Sequence, residues 1–467
     1  MRGGFHADFA GRLVMVGFGS IGQGVLPLLM RHVRMKPSQI VILTAEERGR
    51  AEAEAMGVAF RVEPLARDNL ARVLAPLLGP GDFLLNVSIE VSSLALIELC
   101  QQRGTLYLDT CIEPWPGGYT DPALSVSQRS NYALREAALE LRRRYPAGPT
   151  AVLTHGANPG LVSHFVKAAL LELAGDAARP EHRAQWGGLA ERLGVKVIHV
   201  AERDTQSPHE AKRRDEFVNT WSIDGFFGEG CQPAELGWGT HERQLPPDGA
   251  RHEFGGGSAI YLNRPGAGCR VRSWTPLEGP YHGFLITHSE AISVADYFTV
   301  TENGTARYRP TVHYAYHPCD AAVLSLHELA GRNWRLQEHK RLLMGEITAG
   351  IDELGVLLMG HAKGAFWYGS RLSIDAARAL APYNNATSLQ VTAAVLAGVV
   401  WALEHPRRGI IEPDEIDHER IIEIARPYLG DVVGVYSDWT PLKDRARLFA
   451  EDIDPSDPWQ FKNFRVA

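Results

Sequence analysis

Over the first 160 residues or so, short apolar runs alternate with amphipathic stretches. Runs at 12–18, 39–45, 58–62, 82–88, 106–110 and 150–156 predict strands, and stretches at 20–34, 68–78, 91–104 and 129–145 predict helices between them. Strands that alternate with helices predict a parallel, doubly wound α/β sheet. From about residue 195 the texture changes. Strand-like runs at 195–205, 217–223, 258–263, 283–300 and 307–318 now follow one another, joined by glycine-rich loops. That predicts a second α+β domain with a mainly antiparallel sheet. In the stretch FVNTWSIDGFFGEG, alternation puts Phe217, Asn219, Trp221 and Ile223 on one strand face. A loop loosened by Gly225, Gly228 and Gly230 would follow, carrying Asp224 and Glu229. The same alternation puts His288 and Glu290 on one face of a strand. Helices return at 319–330 and 374–404, around a hairpin of 355–360 with 364–373, and the tail 451–461 reads as an ordered cap or arm. The predicted domains are 1–157, 158–384 and 385–467.

At 467 residues the chain exceeds the size of one hydrophobic core, which stops growing at about 250–300 residues. A net charge of −7 argues against a nucleic-acid surface and permits a cationic ligand. Cys100, Cys111, Cys231, Cys269 and Cys319 form no CxxC pair, so neither a zinc site nor a disulfide frame is signalled, no metal is expected, and a reducing cytoplasm fits. The apolar run Leu13–Val16 is too brief for a signal-peptide core. The segment 389–403 falls short of the roughly 20 residues that cross a bilayer, so it reads as a buried helix and no membrane contact is expected.

The run VMVGFGSIGQG places Gly17, Gly19 and Gly22 where a strand gives way to a helix at the start of the alternating series. This is the dinucleotide-binding context of a Rossmann-type domain. Gly17 permits the tight turn, Gly19 lets the backbone approach a pyrophosphate, and Gly22 lets helix and strand pack closely. Ser20 and Ile21 open the helix whose N-terminus faces the phosphates. Thr44 stands where an acid usually holds the ribose of NAD. Glu46 or Glu47 could substitute, whereas Arg48 and Arg50 would favour a 2′-phosphate, and NAD is the preferred reading. Strand ends at the carboxyl edge place Asn86, Ser88, Asp109, Thr110 and Asn158 near a nicotinamide. Asn158-Pro159-Gly160 also suits a helix start, with Asn158 as N-cap.

Acids gather by type at strand ends. Glu90 and Glu113 lie beyond strands of the first domain, and Glu202 and Asp204 share a face at the end of another. With Trp221, Glu229 and His288 they suit a pocket for an organic cation.

The blocks GFGSIGQG, GANPG, AERDT, FVNTWS, EGCQPAELGWGT, RVRSWTP, THSE, YRPTVHYAYHPC, GIDELGVLL and DIDPSDPWQF, spread over the whole length, resemble the bacterial homospermidine synthases, NAD-dependent relatives of saccharopine dehydrogenase. The resemblance implies that two putrescine molecules yield homospermidine and ammonia, or that spermidine supplies the aminobutyl group with release of diaminopropane. NAD would be retained with no net redox change. It also implies a homodimer, and a C-terminal region that packs back on the nucleotide domain. Trp221, Glu229, His288, Glu202 and Asn158 form the candidate catalytic group. Glu229 or His288 would take the amine proton, and the Trp221 face would stabilise cationic intermediates by about 2 kcal/mol, some thirtyfold in rate. Glu90, Glu113, Glu202, Glu229 and Asp352 would hold ammonium groups. Two other readings compete: a saccharopine- or carboxyspermidine-type NAD(P)-dependent dehydrogenase, which needs an arginine for a substrate carboxylate, and a nucleotide-binding sensor without turnover.

Overall fold

The computed structural model describes residues 4–175 and 179–466. Leu13–Val16, Ile40–Thr44, Phe83–Asn86 and Leu106–Asp109 are buried along their whole lengths. Continuous apolar strands of this kind suit a sheet covered by helices on both faces. Among the described residues they join a seven-stranded parallel sheet. Its order is Ile410–Ile411, Ala151–Val152, Leu106–Asp109, Phe83–Asn86, Leu13–Val16, Ile40–Thr44 and Ala59–Val62.

The second sheet is mixed. Val197–Asp204 lies at its centre, parallel to Thr311–His317 on one side and antiparallel to Ile351–Met359 on the other. The predicted hairpin forms between Ile351–Met359 and Ala365–Ser373. A predicted loop and part of a predicted strand are helices instead. After the short strand Glu216–Asn219 the chain turns into the helix Ile223–Cys231, whose N-cap Ser222 accepts a hydrogen bond from the Gly225 amide at 3.1 Å. Its three glycines lower helix propensity and so disguised it as a loop. Trp221 and Glu229 therefore do not share a strand and its loop: the first precedes the helix, and the second lies within it. Likewise His288 caps the helix Ser289–Tyr297, in which nearly every residue is buried. A helix buried all round shows no polar stripe to betray its period.

The region 385–467 is divided between the two sheets rather than set apart. The helix Ala386–Glu404 packs on the nucleotide-domain helix Ser20–His32, and Ile410–Ile411 extends the parallel sheet. Asp431–Ser437 instead pairs with Ala365–Ser373 in the second sheet. The tail buries Phe461 and Phe464 against His199 and His313, as a cap.

Arg135 ties three parts of the chain together. From the helix Asn131–Arg144 it donates to both oxygens of Glu412, at 2.6 and 2.8 Å, and to Asp296 at 2.9 Å, with its side chain only 3% exposed. Replacing one partner leaves the others charged and buried, which costs about 3–5 kcal/mol. Arg135→Ala should therefore lower the free energy of urea unfolding by about that amount.

Candidate active site

Gly17 adopts φ 88°, and a Cβ there would lie 2.7 Å from the Ser88 backbone, so the turn admits glycine alone. A Cβ on Gly22 would stand 2.9 Å from the Gly17 carbonyl, whereas one on Gly19 would meet nothing within 4 Å. Gly19 thus borders open space at the helix N-terminus, as an approaching phosphate requires. That space is one end of a cavity of about 470 Å³. Ser20, Ile21, Thr44, Glu46, Arg48, Ser88 and Thr110 line it, and Arg48 lies 3.8 Å from Glu46.

Asn86 and Asp109 do not line the cavity. As the last residues of their strands they point into the sheet, where Asn86 accepts from the Ser88 hydroxyl at 2.6 Å. Asp109 accepts from the Thr154 amide at 2.6 Å and the Tyr107 hydroxyl at 2.7 Å. They brace the loops that do reach the cavity. Asn158 is not the helix N-cap, since that position falls to Gly160 and the Asn158–Pro159 bond is cis. Its amide instead donates to Glu202 at 2.6 Å and to the Tyr314 hydroxyl at 2.7 Å.

The far end of the same cavity brings together Glu90, Glu113, Glu202, Trp221, Glu229 and His288. Trp221 is half-buried on the wall, and its indole N–H donates to the Tyr316 hydroxyl at 3.1 Å. Tyr316 stacks on Tyr314 at 4.9 Å, and Tyr314 in turn lies 4.4 Å from the His288 ring and donates to Glu202. His288 stands between two acids, 3.2 Å from Glu229 and 3.1 Å from Glu290. Burial acts to lower its pKa, but the two carboxylates together outweigh burial and raise it to about 10. Burial pushes Glu113 up to about 7, against hydrogen bonds from the Glu90 amide and the Cys111 thiol. It also pushes Glu202 above the usual carboxylate range, despite Tyr314 and Asn158. Asp352 is fully buried and lies behind the cavity rather than on its wall, bonded by the Thr387 hydroxyl at 2.5 Å.

Three partners escaped the sequence reading. Tyr314 and Tyr316 alternate on one strand face, a signal that was present. Lys340, paired with Asp224 on the cavity wall, carries no local pattern. Among the described residues that line this cavity, the one arginine is Arg48, at the nucleotide end. Arg203 points elsewhere, toward Glu278 and Asp320.

A dinucleotide cradle that opens into an acidic, aromatic-walled cavity defines an oxidoreductase-type protein for cationic substrates. Residues 13–152 match the saccharopine dehydrogenase NADP binding domain, and residues 156–435 match the saccharopine dehydrogenase C-terminal domain. The chain is 55% identical to the homospermidine synthase of Blastochloris viridis, over 98% of this chain and 97% of that one. It is 50% identical to that of Mesorhizobium japonicum, over 99% and 97%. The structure of the Legionella pneumophila homospermidine synthase, solved in complex with NAD, matches with a TM-score of 0.92 at 51% identity, covering 98% of both chains. The chain belongs to the homospermidine synthase family.

The two acids flanking His288 should keep it an imidazolium throughout the neutral range. Glu290→Gln removes one of the charges that favour the cation, so the His288 pKa should fall. An NMR titration of its ring nitrogens reads this directly, and an unmoved midpoint would contradict the assignment.

Proposed function

We propose that the protein makes homospermidine from two putrescine molecules with release of ammonia, using bound NAD with no net redox change. It would also accept the aminobutyl group of spermidine, releasing diaminopropane. The observation that carries this reading is the single cavity that joins the glycine cradle to the acids around Trp221. The cradle fits NAD: Gly17 and Gly22 close the turn, Gly19 leaves room for the pyrophosphate, and Glu46 supplies a carboxylate beyond the second strand for the ribose. When bound, the cofactor removes two electrons from the carbon beside the reacting amine and later restores them.

The remaining work falls to the chain's own residues. Glu113 and Glu90 hold the remote ammonium of a substrate, and Glu229, with His288 and Glu290, holds the inner end. Glu202, whose burial makes it a better base than a solvated carboxylate, takes the proton from the reacting amine. His288 is a proton donor at neutral pH, because its two acids keep it charged. The Trp221 face lies where positive charge develops, and the Tyr316 hydrogen bond fixes its plane. The dehydrogenase reading lacks its arginine at this end of the cavity. A homodimer in the cytoplasm belongs to the same proposal.

The test is to incubate the purified protein with putrescine and catalytic NAD. Homospermidine and ammonia without net NADH are expected, and stoichiometric NADH would overturn the reading in favour of a dehydrogenase. Trp221→Ala should slow turnover by about tenfold or more while NAD affinity stays nearly unchanged.

A further inference from the structure

Three carboxyl groups lie together beneath the reacting end of the cavity. Glu202 and Asp204 point to the same side of the strand Val197–Asp204, and Asp352 is the cross-strand partner of Asp204. All three are buried, at 2%, 0% and 0% exposure. The Thr387 hydroxyl stands between two of them, 2.5 Å from Asp352 and 3.4 Å from Asp204, and Thr387 itself lines the cavity. Thr220 donates to Asp204 at 3.0 Å, and the Gln206 amide and side chain donate at 2.8 and 3.1 Å. One oxygen of Asp352 has no partner among the described residues. No Lys, Arg or His among the described residues forms an ion pair with any of the three.

Two nearby cations, Arg203 and His288, favour the charged forms of Asp204 and Glu202 respectively, but neither forms an ion pair with them. Arg203, on the same strand as Glu202 and Asp204, turns to Glu278 and Asp320. Glu353, beside Asp352, accepts from the Leu277 amide, with Arg371 at 3.8 Å. Tyr314 and Tyr316 face the cluster from Thr311–His317, and His288, from the neighbouring helix, is already held between Glu229 and Glu290. Burial holds all three carboxyls above their ordinary range, and neighbouring carboxylates add to the rise for Glu202 and Asp352.

The proposed reaction needs protons held and given back. Each of the two reacting ammonium groups must lose a proton, one before its carbon is oxidised and the other before it attacks. The secondary ammonium of the product regains one proton and the departing ammonia regains the other, so atoms and charge balance with no net exchange. We infer that Glu202, with Asp204 beside it on the same strand face and Asp352 joined to Asp204 by Thr387, forms an internal proton store that takes up and returns the protons of each turnover. This rests on the polyamine reading above. Glu202 meets substrate, and the two aspartates act through it.

The test uses the full-length enzyme, with Asp352→Asn as a variant of equal size and Thr387→Val as a second. In ligand-free wild type near neutral pH, difference infrared spectroscopy should show the C=O band of a protonated carboxylic acid, weakened in Asp352→Asn. In single turnovers with a pH indicator, wild type should release no proton burst to bulk water, whereas both variants should. Asp352→Asn removes one of the three proton-holding carboxyls while keeping their shape, so kcat should fall about tenfold with KM little changed. A wild type that lacks the band and releases both protons to bulk would overturn the store. Absence of any polyamine turnover would instead overturn the preceding reading, while the infrared band still reports whether the carboxyls hold protons.

Discussion

Carboxyl groups withdrawn from water without cations of their own constrain everything else in this molecule. An isolated buried carboxylate costs several kcal/mol, and the site holds a group of them around one cavity. The energetically tolerable state of the empty enzyme is therefore partly protonated, with Glu113 and Glu202 both shifted upward. In the proposed reaction a dicationic amine would supply the missing positive charge. Affinity for such a ligand and the capacity to take its proton then have one origin, which is burial.

The fold supplies that burial by closing two sheets over one cleft. The parallel sheet presents its carboxyl edge, where Ser88, Glu90, Thr110 and Glu113 emerge, and the mixed sheet presents the end of Val197–Asp204. The C-terminal segments lock the pair. Ala386–Glu404 brings Thr387 to the cavity floor while its length packs on Ser20–His32, and Ile410–Ile411 completes the parallel sheet. Arg135, bridging Glu412 and Asp296, is the polar counterpart of that packing. The indole that faces the cavity is held by the same architecture, because Tyr316 lies on the central pair of strands.

How far this was legible in the chain varies by element. The nucleotide domain could be read almost completely, because its strands are buried on both faces and its glycine turn has a local signature set by backbone sterics. The second domain was legible as a sheet, but Ile223–Cys231 and Ser289–Tyr297 were misread. One is helical in spite of its glycines, and the other is buried too evenly to show a period.

The identity of the chemistry followed from sequence alone: the cradle, the acids and the indole are residue types in recognisable local blocks. Which of them meet, and in what state of charge, was decided by tertiary structure. Asn86 and Asp109 differ from Ser88 and Thr110 by one or two positions, yet they turn into the sheet, and Asp352 lies behind the wall it was expected to line. The pairing of His288 with Glu229 from another helix, and of Asp204 with Asp352 across strands, joins residues dozens to more than a hundred positions apart. Desolvation is a property of that assembled volume, and no segment of the chain carries it by itself.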